Sequence, residues 1–116
     1  RMVSQSLAAA DMLLASGIQA RVVDMRWIKP LDEEAIKQAC TTSLVVTVEE
    51  GVLTGGVGEG VLACMNEQAC ETPTLRLGIP DNFVGQGAVS QLLAELGLDG
   101  EGIATAIKAK LDTLGK

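Results

Sequence analysis

The chain has 116 residues, a net charge of −6 and a hydrophobic fraction of 47%. That length fits one domain spanning residues 1–116 with a core of its own, and the balance is globular rather than disordered. The acidic surplus argues against nucleic acid and anionic membranes as partners, and the absence of histidine removes Ser-His-Asp and Cys-His catalysis within the chain.

No apolar run reaches the ~18–20 residues that span a bilayer. No cationic, apolar leader opens the sequence, so the reading is cytoplasmic, and a start at Arg1 without an initiator Met reads as a piece of a longer protein. Trp27 and Phe83 are the only aromatic residues, too few for base stacking or a flavin sandwich. Cys40, Cys64 and Cys70 are an odd number at irregular spacing, without a Cys-x-x-Cys pair or a histidine. A structural zinc site is therefore excluded, and the cysteines are expected to be free apolar side chains in a reducing compartment.

Met2 to Ser16 reads as a helix. Val3, Leu7, Ala10 and Leu14 recur at helical spacing and are expected to face the core, with Gly17 as a left-handed stop. A helix needs a sheet to pack on, so a strand is expected ahead of it. Ala20 to Met25 is a strand candidate centred on Val22 and Val23. Pro30 disfavours helix at Lys29. A helix then starts with Asp32 as cap, Glu33 and Glu34 at the positive end of the dipole, and Leu31 and Ile36 as a hydrophobic staple; it runs to about Cys40.

Leu44 to Val48 is an apolar, β-branched run suited to a buried parallel strand. Glu49 and Glu50 end it, a glycine-rich turn follows, and a helix is expected from about Val57 to Ala69. Thr74 to Leu77 is a further strand, entered through Pro73. Residues 78 to 87 form a Pro/Gly-bounded loop in which Asp81 and Asn82 stabilise the turn. A short helix from Val89 to Leu96 stops at Gly97. Asp99 then caps a last helix, Leu98 and Ile103 staple it, and Ile103, Ile107, Leu111 and Leu114 form its apolar stripe. Strands alternating with helices over short connections predict a three-layer α/β/α sandwich with a mainly parallel sheet.

The turn between strand and helix is the place to look for chemistry. Such a joint binds phosphate when backbone amides at the helix N-terminus are open. Gly55, Gly56, Gly58 and Gly60 spell G-G-x-G-x-G, neither the dinucleotide fingerprint nor a P-loop. Glu49, Glu50 and Glu59 flank the turn, and no Lys or Arg occurs between Lys37 and Arg76. Two like charges 5 Å apart repel by about 3 kcal/mol at an effective dielectric near 20, so a phosphate is disfavoured. Glu49 and Glu50 are strand neighbours that point to opposite faces, so they are not a ready acid/base pair. One acid is expected to meet solvent or a partner, and the other to bond the amides of the turn. The glycines serve the backbone, by positive φ or by close approach.

Five segments occur in order: V-V-D-M-R-W-I-K-P-L-D (22–32), T-V-E-E-G (47–51), G-G-V-G (55–58), L-G-I-P-D-N-F-V-G-Q-G (77–87) and L-G-L-D-G-E-G-I (96–103). Together, over essentially the whole chain, they resemble the C-terminal domain of the 1-deoxy-D-xylulose 5-phosphate synthases, within the wider transketolase C-terminal-domain family. The resemblance implies a longer enzyme that uses thiamine diphosphate and Mg2+ to condense pyruvate with glyceraldehyde 3-phosphate, releasing CO2. It implies that cofactor, metal and catalytic residues lie in two preceding domains, and that this domain packs on one of them and helps form a homodimer. No catalytic, cofactor-binding or metal residue is then expected here. Glu49, Glu50, Gly55, Gly56, Gly58, Pro80, Asp81 and Phe83 are expected to be structural or interface residues. The family domain begins with a strand, so the first strand of the sheet is expected to be missing. The alternatives are the C-terminal domain of a transketolase or of a 2-oxo-acid dehydrogenase β subunit, and a small-molecule or nucleotide-binding regulatory module using the Gly51–Gly60 turn.

Overall fold

A computed structural model describes residues 2–23, 33–52, 57–79 and 96–115. In order these form α1 (Met2–Ala15), α2 (Glu33–Ala39), β1 (Val45–Val52), α3 (Val57–Glu67), β2 (Thr74–Ile79) and α4 (Gly100–Thr113). The expected helix over 89–96 lies outside the described residues except at Leu96. So do Asp32 and Leu31, the expected cap and staple of α2.

β1 and β2 pair in parallel, with Val45 beside Thr74, Thr47 beside Arg76 and Val48 beside Leu77. The strand period of two then sorts β1 by face. Val45 joins Ile36, Val61, Cys64 and Met65 in a core between the sheet and α2 and α3. Val48, with Leu77, packs instead on Ala9, Leu13, Ile103 and Ala104 of α1 and α4. Helices thus cover both faces of a parallel sheet, which is the α/β layering expected.

Three sequence expectations change. The stripe Val3, Leu7, Leu14 does not face the core: Leu7 is 52% and Leu14 60% exposed, whereas Ala9 and Leu13 are 1% exposed. The reason is close helix packing. α1 meets the N-terminus of α4 closely, where a Cβ built on Gly100 would fall 2.8 Å from the Ala8 methyl, and the α1 residues buried with Ile103 and Ala104 of α4 are Ala9 and Leu13. Second, residues 20–23 of the expected strand are irregular, and the described sheet has two strands. Among the described residues Val22 and Val23 have no ladder partner, Asp24 and Met25 lie outside those residues, and Arg21 Nη1 donates to Gln38 Oε1 (3.1 Å). Third, Cys40 and Cys70 are not free but joined as a disulfide, with Cα atoms 6.1 Å apart; only Cys64, buried, is a free thiol. The fold brings the ends of α2 and α3 side by side, which spacing along the chain does not reveal.

The stops and caps follow sequence closely. Gly17 and Gly97 take left-handed φ values of +83° and +71°. The Asp99 carboxylate accepts from Gly102 N (2.8 Å), and Leu98 and Ile103 are each 1% exposed. Gln5 Oε1 accepts from Gly100 N (2.8 Å), so a side chain of α1 satisfies another of α4's unpaired amides.

Candidate functional site

The joint between β1 and α3 is built from three elements. β1 continues past its apolar run through both acids to Val52. Its register slips after Val48: the next pair is Val52 with Ile79, four residues on along β1 but two on along β2. Glu49, Glu50 and Gly51 are thus set against Gly78 alone, an irregularity of the kind that re-aims a side chain. Glu49 is odd-numbered like Val45 and Thr47, so it lies on the α3 side of the sheet. It is 9% exposed, the one buried charged residue among those described.

Its carboxylate does what an anion would do there. Gly58, second residue of α3, donates its amide to Glu49 Oε2 at 3.0 Å. That amide is one of the four that a helix leaves unpaired at its N-terminus, and the negative charge sits at the positive end of the dipole. Arg76 reaches the same oxygen from β2, its Nη2 at 3.6 Å. Sequence distance hid this cation: parallel pairing sets Arg76 beside Thr47, 29 positions earlier. The expectation that no base stands near the turn is therefore corrected. The charge next to Glu49 is balanced, and its source is the neighbouring strand.

Gly58 shows why a side chain is excluded. A Cβ there would lie 2.6 Å from Glu49 Oε2, 2.6 Å from Arg76 Nε and 3.0 Å from Thr47 Oγ1. Close approach, rather than positive φ, is the requirement. The Thr47 hydroxyl in this packed corner is buried without a hydrogen-bond partner.

Of the residues singled out from sequence, Glu49 and Gly58 come together. Glu50 lies in β1, but its side chain is outside the described residues, as are Gly55, Gly56, Pro80, Asp81 and Phe83. Among the described residues no cluster of His, Cys, Asp or Glu is arranged to hold a metal ion. The Gly58 amide is taken by Glu49 and so is not open to a diphosphate. No described helix is long and apolar enough to cross a membrane.

Fold and joint together define, among the described residues, an α/β domain in which the helix amide at the β1–α3 joint is held by the chain's own carboxylate. Residues 1–103 match the family described as the C-terminal domain of transketolase, and the chain belongs to that family. Among curated proteins it is 46% identical over 108 residues to a 1-deoxy-D-xylulose-5-phosphate synthase of Caldanaerobacter subterraneus subsp. tengcongensis, covering 92% of this chain and 17% of that protein. It is 48% identical over 110 residues to the synthase of a Synechococcus strain, covering 94% of this chain and again 17% of the relative. A solved structure titled a split gene transketolase, inactive beta4 tetramer, superposes with a TM-score of 0.83 at 36% identity, covering 96% of this chain and 35% of that one. The chain thus spans about one-sixth of the length of these synthases.

Proposed function

We propose that residues 1–116 form the C-terminal domain of a 1-deoxy-D-xylulose 5-phosphate synthase and that this domain does no chemistry itself. The observation that supports the non-catalytic reading is Glu49 on the Gly58 amide: among the described residues, the helix amide at the β1–α3 joint is held by the chain's own acid. The identity to synthases over more than nine-tenths of the chain supports the choice of enzyme. Thiamine diphosphate and Mg2+ are then held by preceding domains, where they supply carbanion chemistry on pyruvate. This domain's part is to present a rigid surface to those domains and to a second copy of the enzyme in the cytoplasm. Glu50, Gly55, Gly56, Pro80, Asp81 and Phe83 are its contact residues, while Glu49 and Gly58 hold the joint behind them.

The test compares two proteins with pyruvate, glyceraldehyde 3-phosphate, thiamine diphosphate and Mg2+. The full-length protein releases CO2 and forms the five-carbon product; the 116-residue chain forms none. Turnover by the short chain would sink the scaffold reading. A second reading, a transketolase, is favoured by the 36%-identical structural neighbour. It predicts that the full-length protein uses a ketose phosphate donor and releases no CO2. A nucleotide or effector site at the Gly51–Gly60 turn has the Glu49 carboxylate against it, because binding would first have to displace that group and its ion pair with Arg76.

A further inference from the structure

Cys40 directly follows α2, and Cys70 lies three residues after α3. Their Cα atoms are 6.1 Å apart, inside the range a disulfide requires. The 30 positions separating them contain all of β1, the glycine-rich turn and α3. The bond therefore ties off the loop that carries the Glu49–Gly58 joint. Thr72 Oγ1 adds a second tie, donating to the Cys40 carbonyl at 2.7 Å.

Both cysteines are half-buried. Both line an open depression of about 520 Å³ shared with Glu33, Glu34, Lys37 and Gln68. Behind them is the apolar core of Ile36, Val45, Val61, Cys64 and Met65. The third cysteine is excluded from exchange. Cys64 is buried, its sulfur accepts from Gln68 Nε2 (3.4 Å), and burial, then Glu33 and Glu67, push its thiol pKa up. Both the burial and the raised pKa disfavour the thiolate that would attack the neighbouring bond.

We propose that Cys40–Cys70 is a reversible redox site that exchanges with a dithiol reductant through this depression, and that its opening loosens the ends of α2 and α3 while the Glu49–Gly58–Arg76 joint stays closed. A thiolate of the reductant attacks one cysteine sulfur. The Cys40–Cys70 bond breaks and a mixed disulfide forms. The reductant's second thiol then displaces the remaining cysteine. Two electrons and two protons pass to the pair, giving two thiols, and the dithiol leaves as its own disulfide. Exchange requires a sulfur that solvent can reach, which the depression provides and the core position of Cys64 does not. In a reducing compartment a pair of this kind cycles rather than persists. That direction rests on the cytoplasmic reading; the exchange chemistry is independent of which reaction the longer protein carries out.

The test uses the full-length protein, equilibrated in mixtures of reduced and oxidised dithiothreitol, quenched in acid and alkylated after denaturation. No Lys or Arg lies between Lys37 and Arg76, so trypsin leaves all three cysteines on one peptide. Cleavage after Glu50, Glu59 and Glu67 then separates them. Cys40 and Cys70 are expected to gain label together in one two-electron step, with Cys64 labelled throughout. Native hydrogen exchange over residues 33–40 and 68–73 is expected to rise about tenfold or more on reduction, with residues 57–63 unchanged. The Cys40→Ser/Cys70→Ser protein exchanges fast in both conditions. Independent titration of the two cysteines, pairing of Cys64 with either, a bond that opens only after unfolding, or hydrogen exchange indifferent to reduction would each overturn the proposal.

Discussion

Replacing Gly58 by alanine tests the joint most directly, because two opposing effects are both sizeable. Alanine is the better helix former by up to ~1 kcal/mol, so propensity alone predicts stabilisation. Packing predicts the reverse. The new methyl would meet Glu49 Oε2 and Arg76 Nε at 2.6 Å, closer than carbon and oxygen or nitrogen can approach, and Thr47 Oγ1 at 3.0 Å. Neither charged group has an easy retreat: Glu49 is 9% and Arg76 23% exposed at the side chain. If the carboxylate moves off, it forfeits a charge-assisted bond to the Gly58 amide worth about 1.5–3 kcal/mol. If it stays, overpacking costs about 1–3 kcal/mol. The gross Coulomb attraction at 3.6 Å is roughly 4–5 kcal/mol at an effective dielectric of 20, mostly offset by desolvation of the pair. With the propensity gain subtracted, Gly58→Ala is expected to destabilise the joint by about 1 kcal/mol. Native-state hydrogen exchange reads this locally: amides of α3 should exchange about fivefold faster than in the parent. Exchange within about threefold of the parent, or slower, would show that the corner relaxes freely and that Glu49 is not held by this contact.

Four further substitutions, at three positions, separate the forces involved. Glu49→Gln keeps an acceptor for Gly58 N but removes the charge facing Arg76, and should cost about 1–2 kcal/mol, against about 3 kcal/mol for Glu49→Ala, in urea unfolding; equal costs would refute a role for the amide bond. Ala69 closes α3 at φ +56°, a left-handed position, while Cys70 N reaches back to Met65 O (2.9 Å). Ala69→Gly should therefore stabilise by about 0.5–1 kcal/mol in the same assay, and destabilisation would show that the strain is absent. Burial raises the Cys64 thiol above its ordinary range. In the unfolded chain the thiol ionises first as pH rises, so this stabilising contribution is complete below the ordinary thiol range and is lost as pH climbs through the raised folded value. Stability should fall over that alkaline window, and Cys64→Ala should flatten the fall; an unchanged slope would refute the linkage.

What could be read from the sequence was whatever depends on neighbours along the chain. Gly17, Gly97 and the Asp99 cap act within one helical turn, and residue type alone specifies them. The existence of α1 was legible in the same way, but its orientation was not. Hydrophobic spacing favours Val3, Leu7 and Leu14, yet the side of α1 buried with Ile103 and Ala104 of α4 is the one carrying Ala9 and Leu13, which only the packing of the two helices decides. The joint shows the same division. Glycine at position 58 and an acid at the end of β1 were visible as residue types, and a carboxylate on the turn's amides was one of two readings left open. Arg76 was not visible, because only the register of a parallel pair, set by a crossover through α3, lays it beside Thr47. The pairing of Cys40 with Cys70 depends on the same crossover, which returns the chain from the end of α3 to the end of α2. Counting charges along the turn therefore disfavoured phosphate on an incomplete inventory of the charges nearby. Repulsion is not what closes the site, since Arg76 offsets the nearest acid. What the joint shows is occupancy: the Gly58 amide already holds a carboxylate, and an arginine from β2 reaches the same oxygen.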